Sequence, residues 1–242
     1  MPVMLARRAP APDGGGQAPA IVGLRVRDWY EQVWEQAPSD PEPWAWERRR
    51  AWLLAELRPG ERVLDLGCGS GRFLRAIAEA GARPVGIEIA DAALERARRN
   101  APGAELHRVE PDAGLPLADG SVALVWCSEV IEHVADTAQF LGEMRRVLAP
   151  GGRALVTTPC HGRVQAAALA LTRFEAHFDP LGQHLRFYTR ASLRRALTEH
   201  GLAPAHVSAT GRVPLFRETL LALGRACVPA RAVTARRAGG AG

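Results

Sequence analysis

Lysine is absent from the 242 residues; all 31 basic residues are arginine. That pattern reads as GC-rich coding rather than as selection for phosphate contacts. The formal charge of +5 is also badly placed for a nucleic-acid partner. Residues 1–27 hold four Arg and one Asp, and residues 225–242 hold four Arg and no acid. The chain between those ends carries 23 basic against 25 acidic residues, so the body is slightly acidic and a basic groove on it is not supported. Long apolar runs are missing too. None reaches the ~20 residues that a membrane-spanning helix needs, so no membrane span is expected. Residues 1–23 are rich in Ala, Pro and Gly and lack the apolar core of a secretory signal. The four cysteines, Cys68, Cys127, Cys160 and Cys227, show no C-x-x-C spacing. Neither a zinc site nor a disulfide framework is indicated, and free thiols fit a reducing, cytoplasmic setting.

What is present is a chain of ordinary globular hydrophobicity, 47% by composition, long enough for one large α/β domain. Residues 1–27 read as a disordered leader. Five of the six tryptophans (Trp29, Trp34, Trp44, Trp46 and Trp52) lie in 28–57, which reads as a helical cap broken near Pro38–Pro43. From Glu61 strand and helix signals alternate. Strands are expected at Arg62–Leu66, Pro84–Ile89, Ala104–Val109, Val122–Cys127 and Arg153–Thr158. Helices are expected at Gly71–Ala80, from an Asp91 N-cap to Asn100, and from an Asp136 cap to Leu148. A less regular insertion spans 160–188. A helix capped by Thr189 follows, then strands near Ala205–Ala209 and Val213–Phe216. The domain is expected to cover 28–224, with 225–242 a flexible basic tail. Such alternation predicts a doubly wound, mostly parallel sheet.

Asp65-Leu66-Gly67-Cys68-Gly69-Ser70-Gly71 lies between a strand and a helix. Glycines at alternate positions let the backbone turn sharply and approach a ligand closely. The spacing is G-x-G-x-G, not the G-x-G-x-x-G of dinucleotide binders. Glu88 ends the second strand, where a carboxylate can accept from ribose hydroxyls; it can equally be a solvated strand end. Asp112 follows the third strand and can bond an adenine amino group, or serve as a turn residue beside Pro111. Three signals at three successive strand ends favour the ligand reading, because open α/β sheets bind there.

Residues 61–159 resemble class I S-adenosylmethionine-dependent methyltransferases of the small-molecule, ubiquinone-type O-methyltransferase group. The glycine segment resembles that family's first motif, Gly86-Ile87-Glu88 its second, and Asp112-Ala113 with Leu115-Pro116 its adenine-side motif. Glu129-Val130-Ile131-Glu132-His133-Val134 and Leu148-Ala149-Pro150-Gly151-Gly152 resemble two further segments, and His184–Thr189 extends the likeness more loosely. The resemblance implies a Rossmann-like seven-stranded α/β fold with S-adenosyl-L-methionine as cofactor. It places cofactor contacts at Asp65, Gly67, Cys68, Gly69, Gly71, Glu88, Ile89, Asp112, Ala113, Cys127 and Glu129. The acceptor is expected to be a small molecule, with O-methylation of a hydroxyl as the leading reading. N- or C-methylation is its nearest rival, and a non-catalytic cofactor-binding regulator the alternative from another class. The Asn/Asp-Pro-Pro-aromatic motif of amino-directed DNA methyltransferases is replaced by Cys127-Ser128-Glu129-Val130. The chain is expected to be a monomer or a homodimer.

A hydroxyl acceptor gains from a general base. His184 and His133 are the expected catalytic residues, with His161 and His177 weaker choices for a base. His161 is placed at the substrate, and His177, between Phe174 and Phe178, in a lid. Glu129, Glu132 and His133 would share a helical face, at i, i+3 and i+4. Quinone-type members hold a divalent metal on such a set, while the same residues also read as plain helix N-terminal acidity. No metal is expected. Tyr30 and Trp29 are expected at the sulfonium or the acceptor, and Trp44, Trp46 and Trp52 as rings packing the cap.

Overall fold

The computed structural model describes residues 26–39, 41–179, 182–211 and 219–227. The expected strand at Val213–Phe216, nearly all of the leader and most of the basic tail lie outside them. In chain order the elements are α1 (Val26–Gln36), α2 (Trp46–Glu56), β1 (Arg62–Leu66), α3 (Arg72–Glu79), β2 (Arg83–Glu88), α4 (Asp91–Asn100), β3 (Glu105–Arg108) and β4 (Val122–Ser128). A 3-10 turn at Ile131–His133 follows, then α5 (Thr137–Val147), β5 (Leu148–Pro159), α6 (Arg163–Thr172), α7 (Phe174–His177), α8 (Arg190–Glu199), β6 (Leu202–Thr210) and β7 (Thr219–Ala226). The strands form a seven-stranded sheet in the order β3-β2-β1-β4-β5-β7-β6. The β2/β3 and β4/β5 pairs are parallel, whereas β7 runs antiparallel to both β5 and β6. The Rossmann-like α/β expectation holds. The chain divides into two compact units, one of residues 1–60 with 64–113, the other of residues 61–63 with 114–242.

In the first unit, apolar residues fall where helical spacing demands. α3 buries Phe73, Leu74, Ala76 and Ile77, and α4 buries Ala93, Leu94 and Ala97. Gly71, at φ +81°, opens α3 so close to α4 that an added Cβ would sit 2.8 Å from the Ala97 Cα. The expected Asp91 N-cap is incorrect. Asp91 is the first residue of α4 rather than its cap, and the Glu31 carboxylate of α1 accepts from the Asp91 and Ala92 N–H groups at 2.7 and 2.8 Å. The reciprocal contact comes from Arg96 of α4, whose guanidinium donates to the carbonyls of Trp34, Ala37 and Pro38 at the end of α1. Each helix thus satisfies terminal backbone groups of the other. Trp34 and Ala37 pack there with Ala90 and Ala93.

In the second unit β4 is buried almost throughout. Asp136 caps α5 by accepting from Gln139 N–H at 2.9 Å, as expected. β5 begins directly at Leu148, earlier than Arg153. Its pairing with β4 jumps from Val122↔Leu148 to Leu124↔Arg153, so Ala149–Gly152 bulge out of register. Thr189 and Ser192 form a reciprocal capping box on α8. The sheet closes on β7, which includes Arg225 and Ala226, two residues that had been expected to belong to the flexible tail.

Candidate functional site

The glycine segment is held by its own backbone. Gly67 and Cys68 N–H both donate to the Ile87 carbonyl, at 2.9 and 3.0 Å, and Gly71 N–H donates to the Cys68 carbonyl. Gly69 N–H donates to Glu88 Oε2 at 3.0 Å. A phosphate-binding loop offers free N–H groups to its anion. Here the N–H of each of these four residues is engaged within the loop and β2, which disfavours a phosphate ligand. The Cys68 side chain packs with Leu74, Leu94 and Ala97, and burial pushes its thiol up.

Glu88 does more than the sequence indicated. Besides Gly69, its carboxylate accepts from Ile89 N–H at 2.7 Å and Ala90 N–H at 3.3 Å through Oε1. Three of the roughly four acceptor positions of a carboxylate are thereby filled. Ile89 therefore serves the clamp through its main chain. Asp65 is buried at the end of β1, and its Oδ2 lacks a hydrogen-bond partner among the described residues. Burial, reinforced by the charge of Glu88, raises the Asp65 carboxyl to about 7. An orphaned, buried acceptor beside the glycine loop suits a cationic or donor-bearing ligand group such as an amino acid's ammonium. Asp112 is exposed in a left-handed turn at φ 56°, closed by Ala113 N–H donating to the Glu110 carbonyl. Tyr30 packs against the cluster of Ala90 and Ala93, two and five residues beyond Glu88, and Trp29 meets Tyr30 edge-on at 4.8 Å. Arg49 is among the buried polar residues that the sequence did not mark. Arg49 shares the buried face of α2 with Leu53, donates to the Trp44 carbonyl, and lies 6.0 Å from the Phe73 ring in the first turn of α3. The i, i+4 spacing to Leu53 was the available signal.

In the second unit the expected helical face of Glu129, Glu132 and His133 does not form. Only Ile131–His133 make a 3-10 turn, and Glu129 sits at φ 57°. Glu129 accepts from the Thr157 hydroxyl at 2.9 Å, whereas Glu132 accepts from the Thr158 hydroxyl at 3.0 Å. The two carboxylates are thus held by successive residues of β5. Cys127, beside them on β4, is fully buried.

Another set comes together instead. The Glu132 carbonyl accepts from Leu185 and Arg186 N–H at 2.8 and 3.0 Å, which pins the segment carrying His184. The rings of His133 and His184 then meet edge-on at 4.8 Å. His133 Nδ1 lies 2.8 Å from the Gln183 carbonyl, and a carbonyl only accepts. Nδ1 therefore carries the proton, and Nε2 keeps its lone pair, 3.6 Å from Glu132 Oε1. Burial, then the neighbouring Glu129 charge, holds the Glu132 carboxyl well above its usual range. Burial, with His184 adding to it, pushes His133 down to about 3. Candidate ligand atoms of Glu132, His133 and His184 all lie within 4.8 Å of one another. One carboxylate oxygen and two imidazole nitrogens are a donor set that suits zinc, although the ion would have to displace the Glu132 proton.

His161 follows β5, tied by its N–H to the Tyr188 carbonyl at 2.8 Å. Its Nε2 lies 3.1 Å from His177 Nε2 on α7, and its ring meets Phe187 edge-on at 4.9 Å. Burial lowers His161 to about 4 and also lowers His177 and His184. Four of the chain's seven histidines are therefore gathered in this unit as neutral rings.

A methyltransferase domain family matches residues 34–207. The chain is 36% identical to the chloroplastic tocopherol O-methyltransferase of Arabidopsis thaliana over 121 residues, 48% of this chain and 35% of that protein. It is 28% identical to the ubiquinone biosynthesis O-methyltransferase of Burkholderia pseudomallei over 182 residues, 72% of this chain and 78% of that protein. Among solved structures, an S-adenosylmethionine-dependent methyltransferase from Mesorhizobium loti superposes with a TM-score of 0.59 at 24% identity, covering 79% of this chain and 99% of that one. The chain aligns with only 30–35% of the length of the first curated relatives it matches. No helix among the described residues is long and apolar enough to cross a membrane. A family match over more than half the chain, a Rossmann-like sheet and the glycine loop after β1 agree: the chain belongs to the methyltransferase domain family, the S-adenosylmethionine-dependent methyltransferases.

Proposed function

We propose that this chain transfers the methyl group of S-adenosylmethionine to a hydroxyl oxygen of a small molecule, in the cytoplasm. When bound, S-adenosylmethionine supplies an activated methyl carbon on a sulfonium. The first unit holds this donor: Glu88 keeps the glycine loop in shape and offers its remaining acceptor position to the ribose. Asp65 meets the amino group, and Asp112 and Ala113 serve the adenine. Cys127 and Glu129 as cofactor contacts, and Tyr30 and Trp29 as acceptor contacts, are what the sequence resemblance adds to this reading.

For the base, the reading rests on the histidines of the second unit taken by itself. The observation that carries this reading is the ring contact of half-buried His184 with His133, both pushed below the free imidazole value by partial burial, because only an unprotonated ring can take the acceptor's proton. His133 is a poor acceptor, pushed down to about 3 with its Nδ1 proton committed to Gln183. His184, lowered by burial and by His177, stands at the ring edge of His133 and is the base in this reading. His184 takes the hydroxyl proton, the oxygen bonds to the methyl carbon, and the carbon–sulfur pair stays on sulfur. His133 and Glu132 hold His184 in place. Oxygen as the acceptor atom is also the chemistry named for the tocopherol and ubiquinone relatives. The test is turnover of a panel of phenols by wild type and His184→Ala. The variant should bind the donor normally and lose about 10²–10⁴ in rate, the usual contribution of a general base. Equal rates would remove His184 from the reaction, and transfer to amines alone would overturn the oxygen reading.

A further inference from the structure

Six large hydrophobic side chains stand exposed among the described residues, and five of them, Val164, Leu171, Phe174, Leu185 and Phe187, fall between 164 and 187. α6 is the centre of this patch. Seven of its ten residues are apolar, yet none is buried. A helix that is apolar on most sides is ordinarily covered. The exposed positions Val164, Ala167 and Leu171 follow i, i+3 and i+7 on one face of α6, and Phe174 stands exposed just beyond the break at Arg173, at the start of α7. Leu171 is 87% and Phe174 55% exposed, far beyond what isolated surface apolars require an explanation for.

The charge around this face selects its occupant. Exposed Arg163 and Arg173 bracket α6 at its two ends. Across residues 163–190 four arginines stand against two acids, Glu175 and Asp179. A second copy seated on the stripe would bring like-charged arginines together. An anionic lipid surface offers the complement: acyl boundary for the leucine, valine and phenylalanine, and phosphate headgroups for the arginines. We propose that α6 and the following turn seat this protein on the surface of an anionic bilayer, lying in the interface without spanning it. The proposal rests on exposure and charge and does not depend on which acceptor is methylated.

The full chain is to be sedimented with vesicles of phosphatidylglycerol and phosphatidylcholine, and with vesicles of phosphatidylcholine alone. Wild type is expected on the anionic vesicles and not on the neutral ones. The double variant Leu171→Glu with Phe174→Glu should lower the bound fraction at least about ten-fold, since both apolar anchors are replaced by repelled charges. Arg163→Ser with Arg173→Ser should weaken binding several-fold and flatten its dependence on salt. All variants should keep the wild-type affinity for S-adenosylmethionine, which shows that the fold is intact. Absence of binding to anionic vesicles, equal binding by the Leu171/Phe174 variant, or equal binding to neutral vesicles would overturn the proposal. A wild-type dimer in sedimentation velocity that the same variant dissociates, with no vesicle binding, would assign the face to a second copy instead.

Discussion

Replacing Glu88 by glutamine is the most informative single perturbation of the donor loop. The carboxylate accepts from Gly69, Ile89 and Ala90 N–H groups, two on Oε1 and one on Oε2. Glutamine keeps one oxygen and turns an NH₂ toward the remaining donor. Its best arrangement retains Ile89 and Ala90 on the amide oxygen and leaves Gly69 N–H facing another N–H. A hydrogen bond to a charged group contributes roughly 1.5–3 kcal/mol, and a buried N–H left unmet costs about 1–3 kcal/mol, so Glu88→Gln should destabilise the ligand-free chain by ~2–4 kcal/mol. That is a large share of the ~5–15 kcal/mol typical of a folded domain. Urea unfolding followed by circular dichroism measures it directly. Donor affinity should fall as well, by about ten-fold or more, because the loop loses its anchor and the ribose its partner. A variant within ~0.5 kcal/mol of wild type would refute the clamp, since that is the scatter of neutral surface changes.

Other perturbations test separate parts of the account. Gly71→Ala forces a side chain into the left-handed region against the Ala97 backbone, and should cost about 1–2 kcal/mol of strain plus about 1–3 kcal/mol of overpacking, read as a lowered Tm. Glu31→Ala removes the carboxylate that caps α4 and should lower stability by ~1 kcal/mol, with faster proteolysis in α1 as the local sign. The histidine pair makes a signed pH prediction. His161 has a folded value of about 4, below that of the free imidazole, so acidification through the interval from ~6.5 down to that value protonates the unfolded chain first and removes stability. His161→Gln should therefore flatten the stability-against-pH slope there by up to ~1.4 kcal/mol per unit relative to wild type; parallel curves would contradict the burial. Dialysis against EDTA should leave turnover unchanged, because burial and the neighbouring Glu129 raise the Glu132 carboxyl and disfavour the anion an ion would need; loss restored by zinc would make Glu132, His133 and His184 its ligands.

The sheet was legible at β1, β2 and β4 because each holds a short apolar run between turn residues, while the polar β3 was located by its place after α4, and Gly67, Gly69 and Gly71 mark one turn chemically. The sheet's far side was less so. The Leu220–Leu223 run in β7 has no flanking turn signal, and it pairs with β5 and with β6, neither adjacent to it by a tight turn. Asp91 looked like a cap because local rules see only neighbours in sequence, whereas Glu31 reaches α4 from 60 residues away. The site split in the same manner. Asp65 and Glu88 sit at strand ends that the pattern locates. The Glu129/Glu132/His133 face failed because a positive φ at Glu129 breaks helical periodicity. The meeting of His133 with His184 depends on two backbone bonds from Glu132 to Leu185 and Arg186, which periodicity does not encode.

Calorimetric titration of the full chain with S-adenosylmethionine tests the central claim most directly. The account predicts saturable one-to-one binding, no binding of NAD, and binding abolished or weakened at least ten-fold by Glu88→Ala. Absence of binding, or unchanged affinity in Glu88→Ala, would contradict the placement of the methyl donor on the glycine loop.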